Sequence, residues 1–173
     1  MPMRDMILPE FDQEMANTRK MLERVPEDRY SFQPHQKSWT ANRLAGHIAD
    51  IPSWVPHTMN VDVLDLKPSD CTPFVPTTRK ELLDKFDQST REAHDAIASA
   101  TDEQLNAIWS MTWEGQTVMT MPRVAVLRSI ILNHLIHHRA QLGVYLRLMD
   151  VAVPGMYGPS ADEQPFDVRQ KAA

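Results

Sequence analysis

Apolar residues return at intervals of three and four along most of this chain, a spacing that predicts helices. Leu8, Phe11, Met15, Thr18, Leu22 and Val25 form the first such stripe, over residues 5 to 25, and Pro26 stops it. After the polar stretch Gln33 to Lys37, Ser38 or Thr40 can cap a second helix with the stripe Leu44, Ile48, Ile51 and Val55, which Pro52 and Pro56 kink or end. Leu66 to Pro76 reads as a Pro-bearing connection, with Cys71 as a loop residue. Thr77 or Thr78 opens a third helix along Leu82, Phe86, Ala93, Ile97 and Ala100, ending about Asp102. Trp109, Met111 and Trp113 then alternate with polar positions, Glu114-Gly115 offers a tight turn, and Thr117 and Met119 resume the alternation, the pattern of a short hairpin. The last helix is the longest, from about Pro122 to about Asp150.

Four helices with long connections at 56 to 76 and 101 to 121 predict an all-α, up-and-down four-helix bundle with a short β-hairpin before the last helix. The expected organisation is a single domain over residues 1–173, with 151–173 as an extended C-terminal tail.

Histidine placement adds chemistry to this outline. At about 100° per residue with His134 at zero, Leu127 and Tyr145 fall near 20°, His138 near 40°, Ile131 and Met149 near 60° and Leu142 near 80°. His134 and His138 thus share a face and lie inside the apolar stripe, whereas His137, at about -60°, sits on its flank. His47 lies at the edge of the second helix's stripe. If it faces the pair across the core, three imidazoles converge, the number a catalytic metal site uses while keeping one position open. Hydrogen-bonded core histidines are the other reading of the same spacing, since two buried polar rings need partners of some kind. His35, His57 and His94 lie in polar or turn-like contexts and read as solvated. Trp39 and Trp54 read as core or interface anchors, with a pocket mouth as the alternative, and the methionines as packing.

With 42% hydrophobic residues in 173, there is enough apolar material for a real core. A formal net charge of -5 and no dense Lys/Arg block argue against nucleic acid as a partner. Neither a signal peptide nor an apolar run long enough to span a membrane is visible, so a soluble cytoplasmic protein is expected. One cysteine permits no intrachain disulfide, in keeping with a reducing compartment. Val126, Leu132 and Val144 extend the apolar surface of the last helix beyond one stripe, which points to a homodimer.

Two motifs carry a resemblance over nearly the whole chain. One is Pro34-His35-Gln36-Lys37-Ser38-Trp39 leading into Leu44-Ala45-Gly46-His47; the other is Met121-Pro122-Arg123 followed by Asn133-His134-Leu135-Ile136-His137-His138-Arg139-Ala140-Gln141-Leu142. In these, and in the ending Pro154 to Glu163, the sequence resembles the DinB/YfiT-like family of metal-dependent enzymes. The resemblance implies a commonly dimeric four-helix bundle with a divalent metal on His47, His134 and His138. Ala140 stands where related chains often carry Gly, which leaves the ligand positions intact. The family's best understood relatives act in thiol chemistry, so the expected cofactors are a divalent ion and a low-molecular-weight thiol. Zn or Ni come first for three neutral imidazoles, with Fe, Mn or Cu also compatible. The expected activity is that of a transferase, isomerase or hydrolase in which the ion activates a thiol or water for a small-molecule substrate. The alternative is a non-catalytic, stress-associated metal-binding protein whose ion is structural. Asp50, Gln141 and Tyr145 are the expected partners fixing the imidazole tautomers, and no catalytic base is assigned.

Overall fold

Helix α1, Arg4–Glu23, buries Phe11, Met15, Thr18 and Leu22 along the expected stripe, with Ile7 buried in place of the partly buried Leu8. The structure, a computed structural model, describes residues 1–163. Thr40, in extended conformation, precedes α2, Ala41–Asp50, and Pro52 sits in the single 3-10 turn Ile51–Ser53 that joins α2 to α3, Trp54–Asn60. Helix α2 thus ends just before Pro52, while Pro56 lies in the first turn of α3. Helix α4, Arg79–Ala98, starts at a capping box: Glu81 N–H donates to Thr78 Oγ1 at 3.1 Å, and the Glu81 carboxylate accepts from Thr78 N–H at 3.3 Å. It packs against α1, α2 and α3. A short helix α5, Asp102–Asn106, follows.

The chain is not all-α, and the expected all-helical bundle is corrected by a three-stranded mixed sheet. The hairpin is present as β2, Ile108–Trp113, and β3, Gln116–Pro122, with positive φ at Glu114 (49°) and Gly115 (79°), as a type I′ turn requires. The third strand comes from the segment expected to be connection. Val63–Leu66, numbered β1, runs parallel to β2 in the register Val63↔Ser110 to Leu66↔Trp113. Four residues are too few to announce themselves by period, and the partner is reached only by crossing over through α4. Asp65 fastens the two parts: its Oδ1 accepts from Thr112 Oγ1 at 2.6 Å and from Gly115 N–H at 2.8 Å, bonds that hold its carboxyl below the usual carboxylate range.

The final helical run is compound. Arg123–Ala125, α6, leads into a π-helical stretch, Val126–Leu132, and then α7, Asn133–Leu148. Asn133 N–H donates to the Arg128 carbonyl five residues back, the wider winding of a π turn. A single 100° wheel through residues 127 to 149 therefore does not hold. The face α7 buries most deeply is Leu135, Arg139, Leu142 and Leu146, which moves His134 and His138 from the centre of the stripe to its edge. Arg139 looks polar in sequence, yet it is buried on Glu14, with Nη2 2.6 Å from the carboxylate and Nη1 donating to the Glu14 carbonyl and to Thr18 Oγ1. Val126 and Leu132, expected as outer apolar surface, are also buried, whereas Val144 is exposed.

Arg123 is another buried cation. It donates to the carbonyls of Thr58 at 2.8 Å and Val61 at 3.2 Å and pairs with Asp62 at 2.6 Å, closing the C-terminal end of α3. Residues 151–163 carry no helix or strand and return along α1 and α7. Tyr157 donates to the Glu14 carboxylate at 2.9 Å and accepts from Arg139 Nη2 at 2.7 Å. The rest of the expected tail, 164–173, lies outside the described residues.

Candidate metal centre

His47 is set by the packing of α2. Leu44, Ile48 and Ala49 are buried, and the chain at Phe74 and Pro76 crosses directly over Gly46. A Cβ on Gly46 would lie 2.3 Å from the Phe74 carbonyl oxygen and 2.7 Å from Pro76 Cδ, so only glycine admits that crossing. The next side chain, His47, is half-buried and faces α7.

There it meets His134 and His138. His47 Nε2 is 3.3 Å from His134 Nε2, and His138 Nε2 is 2.8 Å from the same atom. One ligand nitrogen from each residue lies within 4.8 Å of the other two, and the cluster could hold a metal ion. Among the described residues, no further His, Cys, Asp or Glu belongs to it. His137 is exposed, its ring 5.0 Å from that of His138 and outside the cluster. His35 and His57 are exposed, and His94 pairs with Asp12 at 2.9 Å.

The outward nitrogen of one ring, that of His138, is occupied. His138 Nδ1 lies 2.8 Å from Gln141 Oε1, which can only accept, so Nδ1 carries the proton and Nε2 presents a lone pair. The Ile130 backbone lies close enough to His134 to raise its pKa against the effect of burial. The lone pair of His138 Nε2 faces His134 Nε2 at 2.8 Å, a spacing that suits a hydrogen bond from His134, an added proton or a cation between them. Burial disfavours the proton: it lowers the pKa of all three rings, and that of His47 falls to about 4, helped by His138, His134 and the charge of Arg43. Three neutral, convergent nitrogens suit a borderline divalent ion.

Of the other expected partners, Tyr145 donates to the Trp39 carbonyl at 3.0 Å and so anchors the loop before α2, not an imidazole. Asp50 is engaged by Lys85 at 2.7 Å and by Ser53. Trp39 belongs to the site. Its ring stacks on His138, with centroids 5.7 Å apart and planes 22° from parallel, and meets His47 edge-on at 5.2 Å. A cavity of about 380 Å³ opens beside the cluster, lined by Lys37, Ser38, Trp39, Leu44, His138, Gln141, Val144 and Tyr145. The sequence reading missed Arg43, whose guanidinium lies 4.8 Å from the Trp39 ring centroid, and the buried Glu14–Arg139 pair behind the histidines. In sequence the latter shows only as an arginine between His138 and Leu142, off the expected stripe and on the face that the structure buries.

Known proteins place these features in context. The DinB family profile matches residues 3–169. The uncharacterized protein YrdA of Bacillus subtilis strain 168 is 28% identical over 160 residues, covering 92% of this chain and 90% of its own. A crystal structure of a DinB-like protein from Bacillus cereus ATCC 10987 superposes with a TM-score of 0.68 at 25% identity, covering 87% of this chain and 95% of that one. The DinB-like protein YjoA of Bacillus subtilis shares the fold, with a TM-score of 0.67 at 19% identity over 93% of this chain and 99% of its own.

Proposed function

This chain belongs to the DinB family, and from that premise we propose that it is a divalent-metal-dependent enzyme acting on a small molecule. His47, His134 and His138 hold the ion, with Zn or Ni first among the candidates. The observation that carries the reading is a three-nitrogen cluster with no fourth protein ligand among the described residues, one member of which, His138, lines an open cavity. Structural zinc sites close with four protein ligands, whereas catalytic ones keep a position for the reactant. An ion held there would acidify a thiol or a water at its open position, the chemistry of a thiol transferase, isomerase or hydrolase. Gln141 keeps the His138 ring turned with Nε2 inward. Trp39, pinned by Tyr145, packs against His47 and His138 at the cavity.

Elemental analysis of the purified protein, paired with a thiol-alkylation and an ester-hydrolysis assay, tests this. The expected result is about one ion per chain, lost in His47→Ala, His134→Ala and His138→Ala but kept in His137→Ala. Acceleration of one of the two reactions should follow the ion. An ion bound with four protein ligands by X-ray absorption, and no acceleration of either reaction, would make the metal structural.

A further inference from the structure

The cavity beside the histidines is the size of a small-molecule site, at about 380 Å³, and its lining is asymmetric in charge. Lys37 is the one charged side chain in the lining, and no Asp or Glu contributes to it. Arg43 stands next to it, over Trp39. Among the described residues neither cation takes part in an ion pair, and the acid closest along α2, Asp50, is held by Lys85 and Ser53. The loop bearing Lys37 is built, not loose. Lys37 N–H donates to His35 Nδ1 at 3.1 Å, Ser38 N–H to the His35 carbonyl at 2.8 Å, and the Gln33 amide to the Gln36 carbonyl at 3.3 Å. In a chain of net charge -5, Lys37 in the lining and Arg43 over Trp39 put two cations without an acidic partner beside the cavity, a local field of positive sign. Behind them the lining is apolar, from Trp39, Leu44, Val144 and the ring of Tyr145.

We propose, resting on the reading of this site as a metal-dependent enzyme, that its substrate is a small organic anion: Lys37 and Arg43 take the charged group and the apolar wall takes the body. Lys37 and Arg43 are thus specificity-determining residues that never touch the metal ligands' nitrogens. Carboxylate and phosphate headgroups share this chemistry.

The test is an NMR titration of phenylacetate, phenyl phosphate and the neutral phenylacetamide into wild type and the Lys37→Gln/Arg43→Gln double variant. Each protein is used metal-free and zinc-loaded. In metal-free wild type, at least one of the two anions should bind about ten-fold more tightly than the amide, and added salt should shrink that preference. The double variant should bind all three alike while its circular dichroism and zinc content stay those of wild type. Equal binding of anions and amide by wild type would overturn the proposal, and so would a preference that survives in the double variant. Because the charge preference is read without metal, a wild type that takes up no zinc would sink the metal-enzyme reading separately.

Discussion

His47 holds an imidazole where protonation is unfavourable, and that has a thermodynamic consequence at the level of one residue. Its folded pKa is about 4 against an ordinary 6.5, so between these values the unfolded chain binds the proton that the folded chain refuses. Stability from this group is fully present above 6.5 and is lost as pH falls through the window; His134 and His138 are shifted in the same direction. The metal-free protein should therefore show a thermal midpoint that declines from pH 6.5 to about 4, with a shallower decline in His47→Ala. A midpoint flat across that range in wild type would contradict it. His134 and His138 were legible in sequence, because a spacing of four fixes a shared helical face whatever the helix packs on, whereas His47, 87 positions from His134, was joined to them only by the family resemblance. Gly46 was not, since nothing local announces that Phe74 and Pro76 cross it.

Among the elements, α1 and α4 followed from stripes and caps that depend on neighbours in sequence. Strand β1 did not, because Val63–Leu66 becomes a strand only when β2 lies beside it, and that partner is supplied by the fold. The phase of α7 was misread for a related reason. Arg139 counts as polar until Glu14 arrives from α1, and counting it inside the stripe turns the helix so that both histidines move to its edge. That rotation is held by a pair whose side chains are 2% and 7% exposed, where removing one charge strands the other. Arg139→Leu and Glu14→Leu should each destabilise by about 3–5 kcal/mol, and the double replacement by much less than their sum. A double-mutant cycle by urea denaturation measures it, and additive losses would show that the two side chains act independently.

For the molecule as a whole, the described residues include no helix long and apolar enough to cross a membrane, and the chain has a core drawn from every helix except the three-residue α6. Ligand binding to the folded state alone must raise its stability, so zinc at about a hundred times its dissociation constant should add about 2.7 kcal/mol to wild type. Scanning calorimetry should detect the shift in wild type and its absence in His134→Ala; equal shifts would place the ion elsewhere. His47 and His134 are separated by 87 positions in the chain. An ion shared between them would close that stretch into a ring, the work a disulfide does for a secreted protein and that Cys71, alone and exposed, cannot do here. The knot would be tied by chelation and untied by a chelator, so the same atoms that ready a reactant would also set how far the chain can stray when it opens.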